Sequence, residues 1–510
     1  MATYYYDYVN GNNANAGTDP ALPKKTFGVT VTLVAGDQHL FKRGVTWSGA
    51  LNEVRLGIVG NTGGSATNRT ILGAYGEGEK PIIDGVNNTV APIWVRHGSY
   101  ITIQDLQVTG GVRAGIDIKG NSAGENPTHI TVRHCVAYEN NTTDFPGVDG
   151  IMISKAVGAA LTAGCIIENC VSRDNRGHGI KARIGASNTT IRNCVAYNNG
   201  AGVAAHGIGT AGTRVSVSSF SLVGGTIYSS TLTPASYGES AAITSIDAVW
   251  TSSTTYGSLV SAGTSGTPAA GEYSVPANNT LYINIGTNPS GTTVEASKNP
   301  PINTLIRDCV AYGTIDSDGA EGHGFGSDDF SINTTFSRCI AYGNEGYAFT
   351  FNKNNGSKLL NCLAYDNEKG VQIYSPSGTI TASGNTINVD PAQLGCLVLS
   401  GRANVTAKNN VLIGGTAGLY VGSATVDAYT ESNNAYSGYA TAPIRFGATT
   451  PDPTSAITAD PLLTSNYAPT PSSPLLGAGT HLGYTRDVYR KQRPNPPSIG
   501  AFDVATMRDR

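Results

Sequence analysis

The sequence predicts an all-β protein, a single-stranded right-handed parallel β-helix (solenoid), and three observations carry that prediction. A short phrase built on one Cys recurs as "HCVAYENN", "NCVSRDN", "NCVAYNNG", "DCVAYG", "RCIAYGN" and "NCLAYDN". The intervals between its cysteines, Cys135, Cys170, Cys194, Cys309, Cys339 and Cys362, are 35, 24, 115, 30 and 23 residues. A period in the twenties with insertions is the signature of stacked coils. Composition agrees: Gly contributes 64 of 510 residues, charged residues only 14%, and the 39% of hydrophobic residues fall in short runs. That pattern suits many short strands joined by tight turns.

The elements follow in order. Residues 1–60 lack the Cys phrase and contain "GDQHLFKRGVTWSG"; they are read as an N-terminal cap and first coil, because an open solenoid end exposes core and strand edges. Residues 61–210 form the first part of the helix, with coils such as "TILGAYGEGEKPIIDG" and "YITIQDLQVTGG". Within a coil, a β-run (Cys194–Tyr197) leads to an Asn-rich turn (Asn198, Asn199, Gly200) and then to a second run after "HG" or "DG". Period-2 alternation sends Cys and Ala inward and Val and Tyr outward. Asn tolerates a left-handed backbone and can pair with the Asn of the next coil. The 115-residue interval is read as a small β module inserted at 211–300, since insertions in solenoids map to loops. Residues 301–440 resume the helix, and 441–510, rich in Pro, form a tail packed along it.

A cysteine that recurs at one repeat position stacks on itself, so a buried thiol ladder is expected in place of disulfides. The formal net charge of −3 gives no footprint for nucleic acid or anionic lipid. There is no apolar stretch of about 18 residues to span a membrane. The start, "MATYYYDYVNG", lacks a basic and apolar leader, and the expected location is extracellular or on a virus particle.

Aligning the second runs on their Gly gives three columns. The turn column reads Ala114, Asp149, His178, His206, His323, Glu345, Lys369; the first outward column Asp117, Met152, Lys181, Gly209, Gly326, Ala348, Gln372; the second Lys119, Ser154, Arg183, Ala211, Asp328, Thr350, Tyr374. Three of the chain's eight His fall in one file beside Lys181 and Arg183, and Gly209 and Gly326 would leave a groove there. A file of titratable groups this dense shifts its members' proton affinities. The expected chemistry is β-elimination on a uronic-acid polysaccharide, which needs a base for the proton α to a carboxylate and positive charge for the enolate-like intermediate. Lys181 is the candidate base, Arg183 the carboxylate partner, and His178 or His206 the proton donor to the leaving oxygen. An inverting glycoside hydrolase is the alternative, with carboxyls from Asp328 and Asp329 or from Asp316 and Asp318. Tyr138, Tyr197, Tyr312, Tyr342 and Tyr365 form an outward column, either sugar platforms, Tyr197 among them, or a self-packed ladder.

The phrases "NCVSRDNRGHGIKAR", "NCVAYNNG", "RCIAYGNEGYAFTFNKNNG" and "NCLAYDNEKGVQIY" resemble coils of the pectate-lyase-like superfamily, most closely those of lysine-base pectate lyases. "RGHGIK" is similar to the segment that carries their base, which puts Lys181 in that role. Those enzymes bind calcium through clustered Asp, so the resemblance implies a Ca2+ site to which Asp149, Asp144 and Asp174 would contribute. The opening "YDYVNGNNANAGTDPALPKKTFG" and closing "RPNPPSIGAFD" are similar to terminal segments of bacterial and phage-borne β-helix proteins, and the inserted module to segments of phage tail proteins. This implies a depolymerase carried on a phage tailspike, a homotrimer, or a tail protein that binds glycan without cleaving it.

Overall fold

The computed structural model describes residues 1–503 except 51–52, 54, 63, 90, 121–125, 141–147, 156–160, 201–205, 213–214, 238–241, 253–257, 271, 316–321, 377, 402–403 and 423–427. Three long sheets of 13, 12 and 13 strands run the length of the helix, and each coil adds one strand to each. One coil reads Thr190–Arg192, Val195–Tyr197 and His206–Ala211; the next reads Leu305–Arg307, Val310–Tyr312 and His323–Asp328. Their pairing is parallel and in register, Thr190 with Leu305, Val195 with Val310 and His206 with His323. The 115-residue interval therefore leaves the stack unbroken. We call the sheet containing His206–Ala211 the site sheet and the one containing Val195–Tyr197 the tyrosine sheet.

The recurring phrase encodes two corners with a strand between them. The residue before each Cys is left-handed: His134, Asn169, Asn193, Asp308, Arg338 and Asn361 have φ of 51–57°. So is the residue after the strand, as at Glu139, Asp174, Asn198, Gly313, Gly343 and Asp366. Asn, Asp and Gly reach this region at low cost, which is why they dominate both positions. Between the corners Cys and Ala point inward and are at most 1% exposed. All eight cysteines are free and buried. Each thiol of the ladder donates to nearby carbonyls, as Cys194 Sγ does to Arg192 O at 3.3 Å.

A second ladder runs through the turn that leads to the site sheet. Asn140 Nδ2 donates to Asn175 Oδ1 at 2.8 Å and Asn175 Nδ2 to Asn199 Oδ1 at 2.9 Å. The motif returns at Asn344–Asn367, and a further ladder, Asn385–Asn410–Asn434, takes over the Cys position at the corner before the tyrosine-sheet strands. These amides are 0–7% exposed, so each satisfies a buried neighbour that would otherwise cost about 1–3 kcal/mol.

Thr3–Tyr6, Gln38–Lys42, Thr46–Ser48 and Gly28–Val34 already supply the first rungs of the three sheets, and Tyr6, Phe27, Phe41 and Trp47 pack ring against ring at this end. Between Val215 and Ser297 lies a separate eight-stranded sheet, antiparallel except for one neighbouring pair. It has its own core of Leu232, Ile243, Val249, Leu281, Ile283 and Val294. The module docks on later coils: Glu295 pairs with buried Lys353, whose Nζ lies 4.0 Å over the Trp250 ring. Trp250 is 6.4 Å from the Tyr374 ring. At the C-terminal end Leu475, Ile499, Ala501 and Phe502 pack on Val411, Ala435 and Leu363.

Candidate active site

Register builds the site. Ile180 pairs with Ile151 on one side and Ile208 on the other, and His206 pairs with His323. Asp149, His178, His206 and His323 thus stand in one file at the start of four successive strands. Lys181 lies between Met152 and Gly209, and Gly209 beside Gly326. The sequence alignment slips after this point. Phe325 pairs with Phe349 and Gly326 with Thr350, so Ala348, Thr350 and Glu345 each belong two residues earlier than their assigned columns. Tyr347, Thr350 and Asn352 take those places, confirmed by their pairing with Lys369, Gln372 and Tyr374. The stacked pair Phe325–Phe349, centroids 5.0 Å apart, fixes the register where the glycines do not.

A chain of contacts runs through the file. Asp149 Oδ1 accepts from the His178 backbone N–H at 3.0 Å and from His178 Nδ1 at 3.1 Å. Nδ1 therefore carries a proton and Nε2 is left as the acceptor, 2.5 Å from Lys181 Nζ. The next imidazole, His206, meets His178 edge-on at 5.0 Å and stacks on His323 at 5.6 Å. His206 Nε2 pairs with Asp328 Oδ2 at 2.7 Å. His323 Nδ1 accepts the Tyr347 backbone N–H at 3.0 Å, which puts the proton of the neutral ring on Nε2.

All six side chains are buried, between 1% and 9% exposed. Lys181 belongs to the outward column, as expected, but at 6% exposure it is enclosed within this polar cluster. Burial and the adjacent Lys181 push His178 down to about 3, against the pull of Asp149. Burial, His206 and Lys369 push His323 to about 3, against the pull of Asp328. For Asp149 burial acts upward, but His178, Lys181 and Arg183 outweigh it and hold the carboxyl well below its ordinary range. Asp328 is lowered in the same way, burial being overcome by His206, His323 and Lys181. At neutral pH the file thus holds two carboxylates and two uncharged imidazoles around the Lys181 amine.

The groove expected at Gly209 and Gly326 is filled. A Cβ on Gly326 would lie 2.4–2.5 Å from three atoms of the His206 ring, and one on Gly209 would lie 3.0 Å from His206 Nδ1. The missing side chains make room for an imidazole that crosses to Asp328 on the neighbouring coil. Asp328 is thereby a partner of His206 inside the cluster, a role its place in the second outward column did not reveal. Asp329 follows it with a left-handed φ of 50° at the strand end.

The other predicted residues are distributed differently. Arg183 is exposed, on the same strand face two residues after Lys181. Tyr197 is on the tyrosine sheet, away from the file, and stacks on Tyr312, which stacks on Tyr342 and then Tyr365, at 4.8–5.2 Å and 6–8°. It is a rung of a self-packed ladder. Tyr138 is outside that ladder because Arg173 occupies the intervening coil, 4.6 Å over its ring. Asp174 lies at the corner after the tyrosine-sheet strand and pairs with Arg173 at 2.5 Å. It does not converge with Asp149, which is committed to His178. Asp144, Asp316 and Asp318 lie outside the described residues. Among the described residues no group of three His, Cys, Asp or Glu side chains could hold a metal ion, so Asp149 and Asp174 do not form the clustered set that the resemblance implies.

Three parallel sheets wound by one chain, with a polar file on the outer face of one of them, define a β-helix protein. The chain belongs to the right-handed β-helix family: the profile described as "Right handed beta helix region" matches residues 87–231 and 273–435. No curated protein sequence matches it. Among solved structures it is similar to XylC in complex with xylose (9% identity, 98% of each chain covered, TM-score 0.52). It is also similar to pectate lyase Pel9A (15% identity, 99% of this chain and 97% of the other, TM-score 0.47). A third is the alginate lyase of Paenibacillus sp. str. FPU-7 (13% identity, 80% and 98% covered, TM-score 0.37). At these identities the likeness is one of fold.

Proposed function

We propose that this chain is a polysaccharide-processing enzyme that cleaves a uronate-containing glycan by β-elimination, with Lys181 as the base. The observation that carries this reading is the Asp149–His178–Lys181 chain on the outer face of the site sheet, next to exposed Arg183. Asp149 holds the His178 proton on Nδ1, so Nε2 accepts an N–H from Lys181. In its unprotonated form the Lys181 amine directs its lone pair to the proton α to the sugar carboxylate, the role general-base catalysis requires. Arg183 pairs with that carboxylate and offsets the charge that develops on it. The departing oxygen takes its proton from solvent, because His206, 1% exposed and held by Asp328, is enclosed in the cluster; the proton lost to Lys181 and the one gained by the leaving group balance.

The test is incubation with polygalacturonate, alginate and capsular polysaccharides, following ultraviolet absorbance of unsaturated uronate. Lys181→Ala is expected to lower turnover by about 10²–10⁴-fold while the coils remain folded. New reducing ends without unsaturation would move the assignment to hydrolysis. Retention of a glycan with neither product would leave a binding protein.

A further inference from the structure

On the N-terminal side of Lys181, the outer face of the site sheet carries positive charge that the elimination does not use. Asp117 pairs with Trp94 and Ile118 with Val95, Lys119 pairs with Ser154, and Ala182 with Ile153. Arg96, Lys119, Ser154 and Arg183 therefore occupy one outward column on successive coils, about 4.8 Å apart per step. Arg113 precedes the Ala114–Lys119 strand and flanks the column.

These cations are built in. The guanidinium of Arg96 lies 4.1 Å and that of Arg55 4.7 Å from the Trp94 ring centre, so a rigid aromatic fixes both. Arg96 Nη1 also donates to the Lys119 carbonyl at 3.3 Å. The buried carboxylate of Asp117 pairs with Arg96 at 3.0 Å and reaches Arg113 at 3.9 Å. Lys119 and Arg113 remain half-exposed and Arg183 exposed. Burial, reinforced by Arg113, Arg96 and Arg183 and only partly offset by Asp117, pushes the Lys119 amine down to about 8. The protein as a whole is slightly acidic, with a formal net charge of −3, so this local surplus is not a by-product of a basic chain. Like charges gathered in this way repel, and an arriving anion relieves them.

The opposite end of the same column is covered. Asn352 and Tyr374 continue it, and there the inserted module packs Trp250 against Tyr374 and pairs Glu295 with Lys353. On the N-terminal side Lys119, Arg113 and Arg183 retain exposure, so a glycan leaving Lys181 in that direction meets cations.

We propose that Lys119 and Arg113, set in place by the buried Arg96–Asp117 pair, bind the anionic groups, carboxylate or sulfate, of the glycan segment that extends from Lys181 and Arg183 toward the N-terminal coils. The proposal rests on the acidic-glycan reading above, but its test reads binding. Calorimetry on the full chain at low salt would compare oligogalacturonate, a sulfated oligosaccharide and a neutral malto-oligosaccharide. At least one acidic probe should bind, the neutral one should not, and affinity should fall as salt is added. The Lys119→Gln/Arg113→Gln double variant should bind at least tenfold more weakly, and Lys119→Arg should retain affinity. Whichever acidic probe binds more tightly identifies the anion. Wild-type affinity in the double variant overturns the proposal, as does equal binding of the neutral probe. If the double variant loses binding and no acidic polymer yields unsaturated product, the anion site stands and the elimination falls. If product forms with an unchanged KM in the double variant, the elimination stands and this site falls.

Discussion

Gly326→Ala is the sharpest test of the cluster. The backbone at Gly326 is not left-handed, so alanine carries no conformational penalty, and the whole effect must come from its new methyl. That methyl would sit 2.4–2.5 Å from His206 Nε2, Cδ2 and Cε1, about 1 Å inside the ordinary contact range that begins at 3.4 Å. The ring has little room to retreat: it stacks on His323 at 5.6 Å and meets His178 at 5.0 Å. If it stays, overpacking costs about 1–3 kcal/mol. If it leaves, the buried Asp328 carboxylate loses the partner at 2.7 Å, and an uncompensated buried charge costs about 3–5 kcal/mol. Urea unfolding followed by circular dichroism should therefore show a loss of about 1–5 kcal/mol, together with a fall in turnover. Gly224→Ala in the inserted module, where an added Cβ meets nothing within 4 Å, is the control and should change neither. A Gly326→Ala protein with wild-type stability and activity would refute the placement of His206 over that glycine.

Other outcomes follow from the same contacts. His178 and His323 are held near 3 in the folded chain, against about 6.5 when unfolded. Between those values the unfolded chain binds more protons, so stability should be complete above about pH 6.5 and fall on acidification, by up to about 1.4 kcal/mol per pH unit for each ring. Thermal unfolding from pH 7.5 down to 4 checks this, and His323→Gln should flatten the slope. Lys353→Ala strands Glu295 at the module contact and removes the cation over Trp250. It should speed proteolysis within 215–297 on a gel time course while leaving the coils intact. The eight thiols are all buried, so a thiol reagent should label none in the native protein and all eight after denaturation.

Much of this could be read directly from the chain. The Cys phrase marks a strand between two left-handed corners, which is why Asn, Asp and Gly flank it, and the inward Cys and outward Val follow from period 2. The file of Asp149, His178, His206 and His323 was legible because those coils share the same short run after the turn. Register was lost at residue 345, where an "EG" was aligned with an earlier "HG". Turn lengths vary between coils, while the large inward apolar side chain recurs (Ile180, Ile208, Phe325, Phe349, Val371), and Phe349 opposite Phe325 is the better anchor. Calcium was implied by the resemblance alone; of the acidic residues it would use, Asp174 sits on a different sheet's corner from Asp149.

The residue pattern alone determined a parallel coil and the rows of equivalent residues along it, because burial repeats with the backbone and the backbone repeats with the coil. Only the tertiary structure decided what the rows do. It tipped His206 across Gly326 to Asp328, enclosed Lys181 against His178, and set Tyr197 into a ladder on another face. Those choices depend on side-chain rotamers and coil-to-coil distances, which the period leaves open.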